Sequence, residues 1–147
     1  MSIYFQVLAS GSKGNSILVC STKTCVLLDA GLSGKELVRR MDMGAVEARK
    51  LNAIVISHEH QDHVRGMGVM SRRFDLPVYL SQGTLEKVPP HIGQLAYLQL
   101  FHPGSAFTIG DLHFRPFAIS HDASEPSGFI VQNGATRLGI CTDLGIA

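Results

Sequence analysis

The sequence predicts one α/β domain, layered around a mixed β-sheet. Short apolar runs bounded by turn residues are interleaved with two helix-period segments, in the order strands, helix, strand, helix and then strands again. The 147 residues leave room for one ordinary domain and no second of typical size. Hydrophobic residues make up 45% and charged residues 17%, against roughly 25% charged in an average soluble protein, a balance that favours buried strands over disorder.

Residues 3–9 alternate loosely, Ser10-Gly11-Ser12-Lys13-Gly14-Asn15-Ser16 supplies turn chemistry, and the apolar run 17–20 resumes as a second strand. Residues 21–24 turn the chain into a third strand, 25–28, which stops at Asp29-Ala30-Gly31. Ser33 with Glu36 three residues on is a capping-box signature, Leu37, Val38 and Met41 share a face, and Gly44 stands where a helix would stop. A helix is therefore expected at about residues 34–43. The run 53–56 is continuously apolar, as in a strand covered on both faces. Val64, Met67, Met70 and Phe74, at spacings of three, three and four, predict one helix over 64–74 with Met67 and Met70 in the core. Pro77 opens a strand at 78–80, a helix-poor stretch with Pro89-Pro90 follows, and strands are expected near 97–100, 107–109, 112–117, 128–132 and 137–142.

The 13 Lys and Arg against 12 Asp and Glu leave a formal charge of +1, so no global field draws the chain to nucleic acid or membrane. Arg39-Arg40, Arg49-Lys50, Arg65 and Arg72-Arg73 read first as solvated helix faces and second as a DNA-facing patch. The apolar runs fall far short of the about 18 residues of a membrane span, and the N-terminus lacks a basic leader with an apolar core. A cytoplasmic protein without a membrane partner is expected. Cys20, Cys25 and Cys141 are an odd number, too few for a disulfide scaffold, and are expected as reduced core residues.

The chemistry concentrates after the strand at 53–56. His58-Glu59-His60-Gln61-Asp62-His63 puts four metal-competent side chains into six residues. Divalent metals such as Zn²⁺ favour imidazole nitrogen and carboxylate oxygen. His58 and His60, two apart, point the same way from extended backbone, while Asp62 and His63 fall where the chain turns into the next helix and can face a second position. With 7 His and 7 Asp in the chain, this pattern arises by chance in about one such sequence in a thousand. One loop cannot fill a coordination sphere, and two candidates follow later strands: His121 after 112–117 and Asp143 after 137–142. Alone, the first is a polar loop residue and the second a turn former; with the histidine cluster they become ligand candidates. His91, His102 and His113 are expected at the surface or in packing. The turn at Gly11–Ser16 joins two strands and no helix follows, which argues against a phosphate-cradling P-loop.

Asp29 after Leu27-Leu28, the His58-x-His60-x-Asp62-His63 motif with Gly66, His121 and Asp143 resemble, in order, the motifs of the metallo-β-lactamase-fold hydrolases. Gly11-Ser12-Lys13-Gly14-Asn15-Ser16, Leu76-Pro77-Val78-Tyr79 and Ser120-His121-Asp122-Ala123 are similar to the YycJ/WalJ-like exonuclease branch. The resemblance spans essentially the whole chain and implies an αβ/βα sandwich as a single domain over residues 1–147. It implies two divalent metal ions, Zn²⁺ first and Mn²⁺ second, with His58, His60 and His121 on one, Asp62 and His63 on the other, and Asp143 bridging. Asp29 would orient a ligating imidazole. Asp62 and Asp143 would be the catalytic carboxylates, with a metal-bridging hydroxide as nucleophile and DNA as substrate. Lys13, Asn15 and Ser16, on the turn bordering the cleft, would contact that substrate. The superfamily also has a later histidine and a second half of the sandwich, and no His follows His121. A missing C-terminal portion, or completion by another chain or a second copy, is therefore expected. A small ester, thioester or lactone hydrolase on the same scaffold, or a non-catalytic metal-binding fragment, are the rival readings.

Overall fold

A computed structural model describes residues 2–119, 126–141 and 145–146. Two sheets pack face to face. The first has six strands in sequence order: β1 (Tyr4–Ala9), β2 (Ser16–Cys20), β3 (Cys25–Leu28), β4 (Ala53–Val55), β5 (Pro77–Ser81) and β6 (Tyr97–Phe101). Neighbours are antiparallel from β1 to β3 and parallel from β3 to β6, so the mixed sheet is borne out. The second sheet runs β11-β10-β9-β8-β7, all antiparallel, with β7 (Phe107–Ile109), β8 (Leu112–Ala118), β9 (Ser127–Asn133), β10 (Thr136–Cys141) and β11 (Gly145–Ile146).

The period of two along each strand separates two apolar layers. Ile17, Val19, Val26, Leu28, Ala53 and Val55 face Leu112, Phe114, Phe129 and Val131 across the sandwich. Leu18, Leu27, Ile54, Val78 and Leu80 face outward onto α1 (Gly34–Asp42) and α3 (Met67–Phe74), through Leu37, Met41, Met67 and Met70. All three residues of β4 are buried, as expected of a run covered on both sides. Ser33 caps α1, its Oγ accepting from Glu36 N at 3.2 Å, while the Glu36 carboxylate turns away from the cap to Arg39 and Arg40.

The helix expected over 64–74 is two: α2 (Gln61–Val64) and α3. The break has a tertiary cause. Gly66 N donates to Ala30 O at 2.7 Å, and a Cβ at Gly66 would overlap Leu32 O, so the backbone docks on the 30–34 segment instead of continuing the helix. A further helix, α4 (Gln82–Lys87), occupies the stretch read as helix-poor; Ser81 Oγ accepts from Thr84 N at 3.2 Å and starts it. No helix among the described residues is long and apolar enough to cross a membrane.

Candidate metal centre

Because β3 and β4 are parallel, the segments leaving their C-terminal ends emerge at one edge of the sheet, the usual place for a site in such a sheet. Asp29, the residue after β3, has left-handed backbone with φ of 63°, which Asp tolerates better than most side chains. Its amide donates to Val55 O at 2.7 Å and its carbonyl accepts from Ser16 Oγ at 2.8 Å, so the strands on both sides hold it. The turn tucks the fully buried Asp29 carboxylate against the loop after β4.

That carboxylate accepts three bonds at 2.7 Å: Ser57 N on Oδ1, and Ser57 Oγ and His63 Nδ1 on Oδ2. Ser57 Oγ, with its proton directed to Asp29, accepts in turn from His58 Nδ1 at 3.0 Å. Both imidazoles thus carry their proton on Nδ1, with Nε2 as the acceptor nitrogen, the form in which imidazole ligates a metal.

Four expected ligands come together on the loop after β4 and on α2. His58 and His63 are fully buried, with ring centroids 3.8 Å apart; His60, half-buried, is 4.9 Å from His58, and Asp62 is also half-buried. Asp62 Oδ2 lies 3.6 Å from His63 Nε2. Two metal–ligand legs of about 2.0–2.2 Å close a triangle over that base at about 110–130°, so the donor atoms, their tautomers and their spacing fit a divalent cation. Among the described residues, no three His, Cys, Asp or Glu side chains are already grouped as a metal site. The other two expected ligands, His121 and Asp143, lie outside the described residues. Strands β8 and β10, which precede them, run toward this edge: Ala118 pairs with Ser127, whose amide donates to Ser57 O at 2.9 Å, and β10 lies antiparallel to β9.

Of the three expected substrate contacts, two are buried. Ser16 is fully buried with its hydroxyl on Asp29 O, and Asn15, 4% exposed, directs its amide inward to Asp62. The turn folds back over the 29–31 segment, so only its tip, with Lys13, faces solvent. Sequence reading also missed Ser57 as a link between Asp29 and His58; its place directly before His58 is the only signal it gives. His91, His102 and His113 are exposed, as expected. The basic groups favour the solvated-face reading. Arg39 and Arg40 share Glu36, Arg49 pairs with Glu47, Arg72 donates to Ile92 O and Gln94 O, and Arg73 lies over the Phe74 ring at 5.0 Å.

Among curated proteins, the chain is 37% identical over 99% of its length to an exodeoxyribonuclease YycJ of Bacillus anthracis, covering 56% of that protein. It is 33% identical over 96% of its length to an exodeoxyribonuclease WalJ of Streptococcus pneumoniae serotype 2, covering 54% of it. The chain thus spans about half the length of the curated relatives it matches. Among solved structures, it superposes on the metallo-β-lactamase fold protein YhfI of Bacillus subtilis with a TM-score of 0.75 at 18% identity, over 93% of this chain and 61% of that one. The Rm3 metallo-β-lactamase gives 0.73 at 21%, over 92% and 56%. Both share the fold. Residues 24–147 match the model of the beta-lactamase superfamily domain, and the chain belongs to that family.

Proposed function

We propose that this chain carries a two-metal hydrolytic site that cleaves DNA phosphodiesters as an exonuclease in the cytoplasm. The likeness to exodeoxyribonucleases along nearly the whole chain is the observation that carries this reading. The buried Asp29–Ser57 network supports it, because it prepares two imidazoles to ligate through Nε2.

His58, His60 and His121 would hold one cation, Asp62 and His63 the second, with Asp143 shared; Zn²⁺ suits this donor set and Mn²⁺ is the alternative. Such ions supply Lewis acidity toward a phosphoryl oxygen and make water ionisable near neutral pH. The chain's own residues do the positioning. Asp29 fixes the His63 ring directly and the His58 ring through Ser57, so neither has to change tautomer when it binds. Asp62 is partly exposed, so its carboxylate can meet solvent and substrate. Lys13, exposed on the turn that packs behind Asp62, would meet a substrate phosphate.

The test is metal content of the purified chain by elemental analysis, paired with cleavage of an end-labelled DNA duplex and repeated on His60→Ala. Two metals and metal-dependent cleavage, both reduced in the variant, support the reading. Turnover of a thioester with none on DNA would move the substrate to an acyl compound. A metal-free, inactive chain would overturn the two-metal site.

A further inference from the structure

The turn between β1 and β2 makes an unexpected connection to the loop that carries the ligands. Asn15 N donates to Asp62 O at 2.7 Å, and Asn15 Nδ2 lies 3.0 Å from Asp62 Oδ2, 3.3 Å from Asp62 O and 3.2 Å from His63 Nε2. The side chain is itself locked. Its Oδ1 accepts from Gly11 N at 3.1 Å and its Nδ2 donates to Gly11 O at 2.9 Å, a closed pair with one backbone unit that fixes where the second Nδ2 hydrogen points. That hydrogen lies among Asp62 Oδ2, Asp62 O and His63 Nε2, with the carboxylate oxygen nearest. From the other side, Gly31 N donates to Asn15 O at 2.9 Å, and a Cβ on Gly31 would overlap the Asp62 carbonyl oxygen. Asp62 is therefore gripped at its main chain between Asn15 and Gly31 and at its side chain by Asn15.

We propose that Asn15 is a positioning residue of the metal centre, setting the Asp62 carboxylate beside His63 Nε2 at the spacing a divalent cation needs. The inference rests on the two-metal reading. Asn15 is not a ligand, since its carboxamide oxygen is taken by Gly11 N and its nitrogen is a donor. It acts through Asp62. A carboxylate left without this donor rotates about its side-chain bonds, and the metal must then order it on binding. Partners of this kind typically change metal affinity by about 10–100-fold when removed.

The experiment titrates Co²⁺ into the metal-free full chain, following the visible absorption of the bound ion, with calorimetry for stoichiometry. The chains compared are wild type, Asn15→Ala, Asn15→Leu and Asn133→Ala. Asn15→Leu fills the same space without the donor, so a folding defect from a void in Asn15→Ala does not decide the result. Asn133→Ala removes another buried amide, one that donates to Ser2 O at 3.0 Å away from the ligands. The expected result is two ions in wild type and Asn133→Ala, and in both Asn15 variants one ion bound as before with the second weakened by about 10–100-fold and an altered spectrum. Two ions bound with wild-type affinity and spectrum in Asn15→Leu overturn the positioning role while leaving the metal centre standing. A wild type that binds no cation overturns the metal centre, and the proposal with it.

Discussion

Replacing Asp29 by Asn tests the network under the site with little disturbance elsewhere. The backbone at Asp29 is left-handed, and Asn accepts that conformation as readily as Asp, so the side chain alone is tested. An Asn carbonyl can keep the bond from Ser57 N, but its NH₂ then faces Ser57 Oγ and His63 Nδ1, which both direct protons at Asp29 Oδ2. Two donors meet one donor. Relief requires Ser57 Oγ to accept from Asn and donate to His58 Nδ1, and His63 Nδ1 to become an acceptor, which moves both ring protons to Nε2. Each Nε2 would then be a donor facing the site, and a metal must reverse both tautomers to bind. Leaving a buried donor unsatisfied costs about 1–3 kcal/mol, partly offset by the lower cost of burying a neutral amide in place of a carboxylate. Urea unfolding should therefore give a loss at the lower end, about 1–2 kcal/mol. Metal affinity should fall by about 10–100-fold. The assay is long-range ¹⁵N–¹H correlation of the histidine rings in the metal-free chain, with calorimetric titration of Zn²⁺. Rings of His58 and His63 still protonated on Nδ1, together with unchanged affinity, would refute the argument.

Three further outcomes follow from the described contacts. Phe114→Ala removes a fully buried ring between the sheets, beside Phe107 and Phe129 at centroid distances of 5.2 and 6.3 Å; the loss should be about 3–5 kcal/mol in urea unfolding, with no change in metal stoichiometry of the folded fraction. Hydrogen bonds from Arg39 and Arg40 hold the Glu36 carboxyl down at about 2, below its ordinary value. A lowered folded-state pKa gives stability that is present above the unfolded value of about 4.3 and lost as pH falls through the folded one, so Glu36→Gln should flatten the acid limb of a stability profile between about pH 4 and 2; an identical limb would sink this. Cys20 and Cys25 are directly opposed on β2 and β3, and the Cys20 thiol donates to Cys25, which raises the first and lowers the second. Iodoacetamide footprinting should therefore label Cys25 well before Cys20.

How far the sequence could be read depended on whether a feature was local. That His58, His60, Asp62 and His63 lie near one another was legible because one loop and one short helix hold all four. The run at β4 was legible because a strand covered on both faces can be apolar throughout. The break between α2 and α3 was not, since Val64, Met67, Met70 and Phe74 keep the same spacing whether or not the helix is continuous, and a bond from Gly66 N to Ala30 O interrupts it. Nor was α4, whose Gln82-Gly83-Thr84-Leu85 segment has too little apolar periodicity to stand apart from a turn. The inward bond of Asn15 was not legible for a related reason. A Gly-rich turn looks exposed, and only the partner 47 residues away explains why this residue faces inward.

The same distinction separates the proposed ligands from what holds them. The proposed ligands of the 58–63 segment can sit close in sequence because a metal needs only short side chains on one turn of backbone. Their supports cannot, because a group that holds this segment from behind must come from another strand or turn. Asp29 arrives from the end of β3, Ser127 from the start of β9, and Asn15 from the turn before β2, each bonding the 57–63 segment from its own direction. Parallel pairing of β3 with β4 brings Asp29 to the same edge as Ser57, and the left-handed residue lets the chain leave β3 without carrying its carboxylate away from it. A substitution at a ligand should therefore remove a metal, whereas one at Asp29 or Asn15 should leave every ligand in place and weaken how they are held. Affinity should fall in steps of about 10–100-fold while the number of sites stays the same.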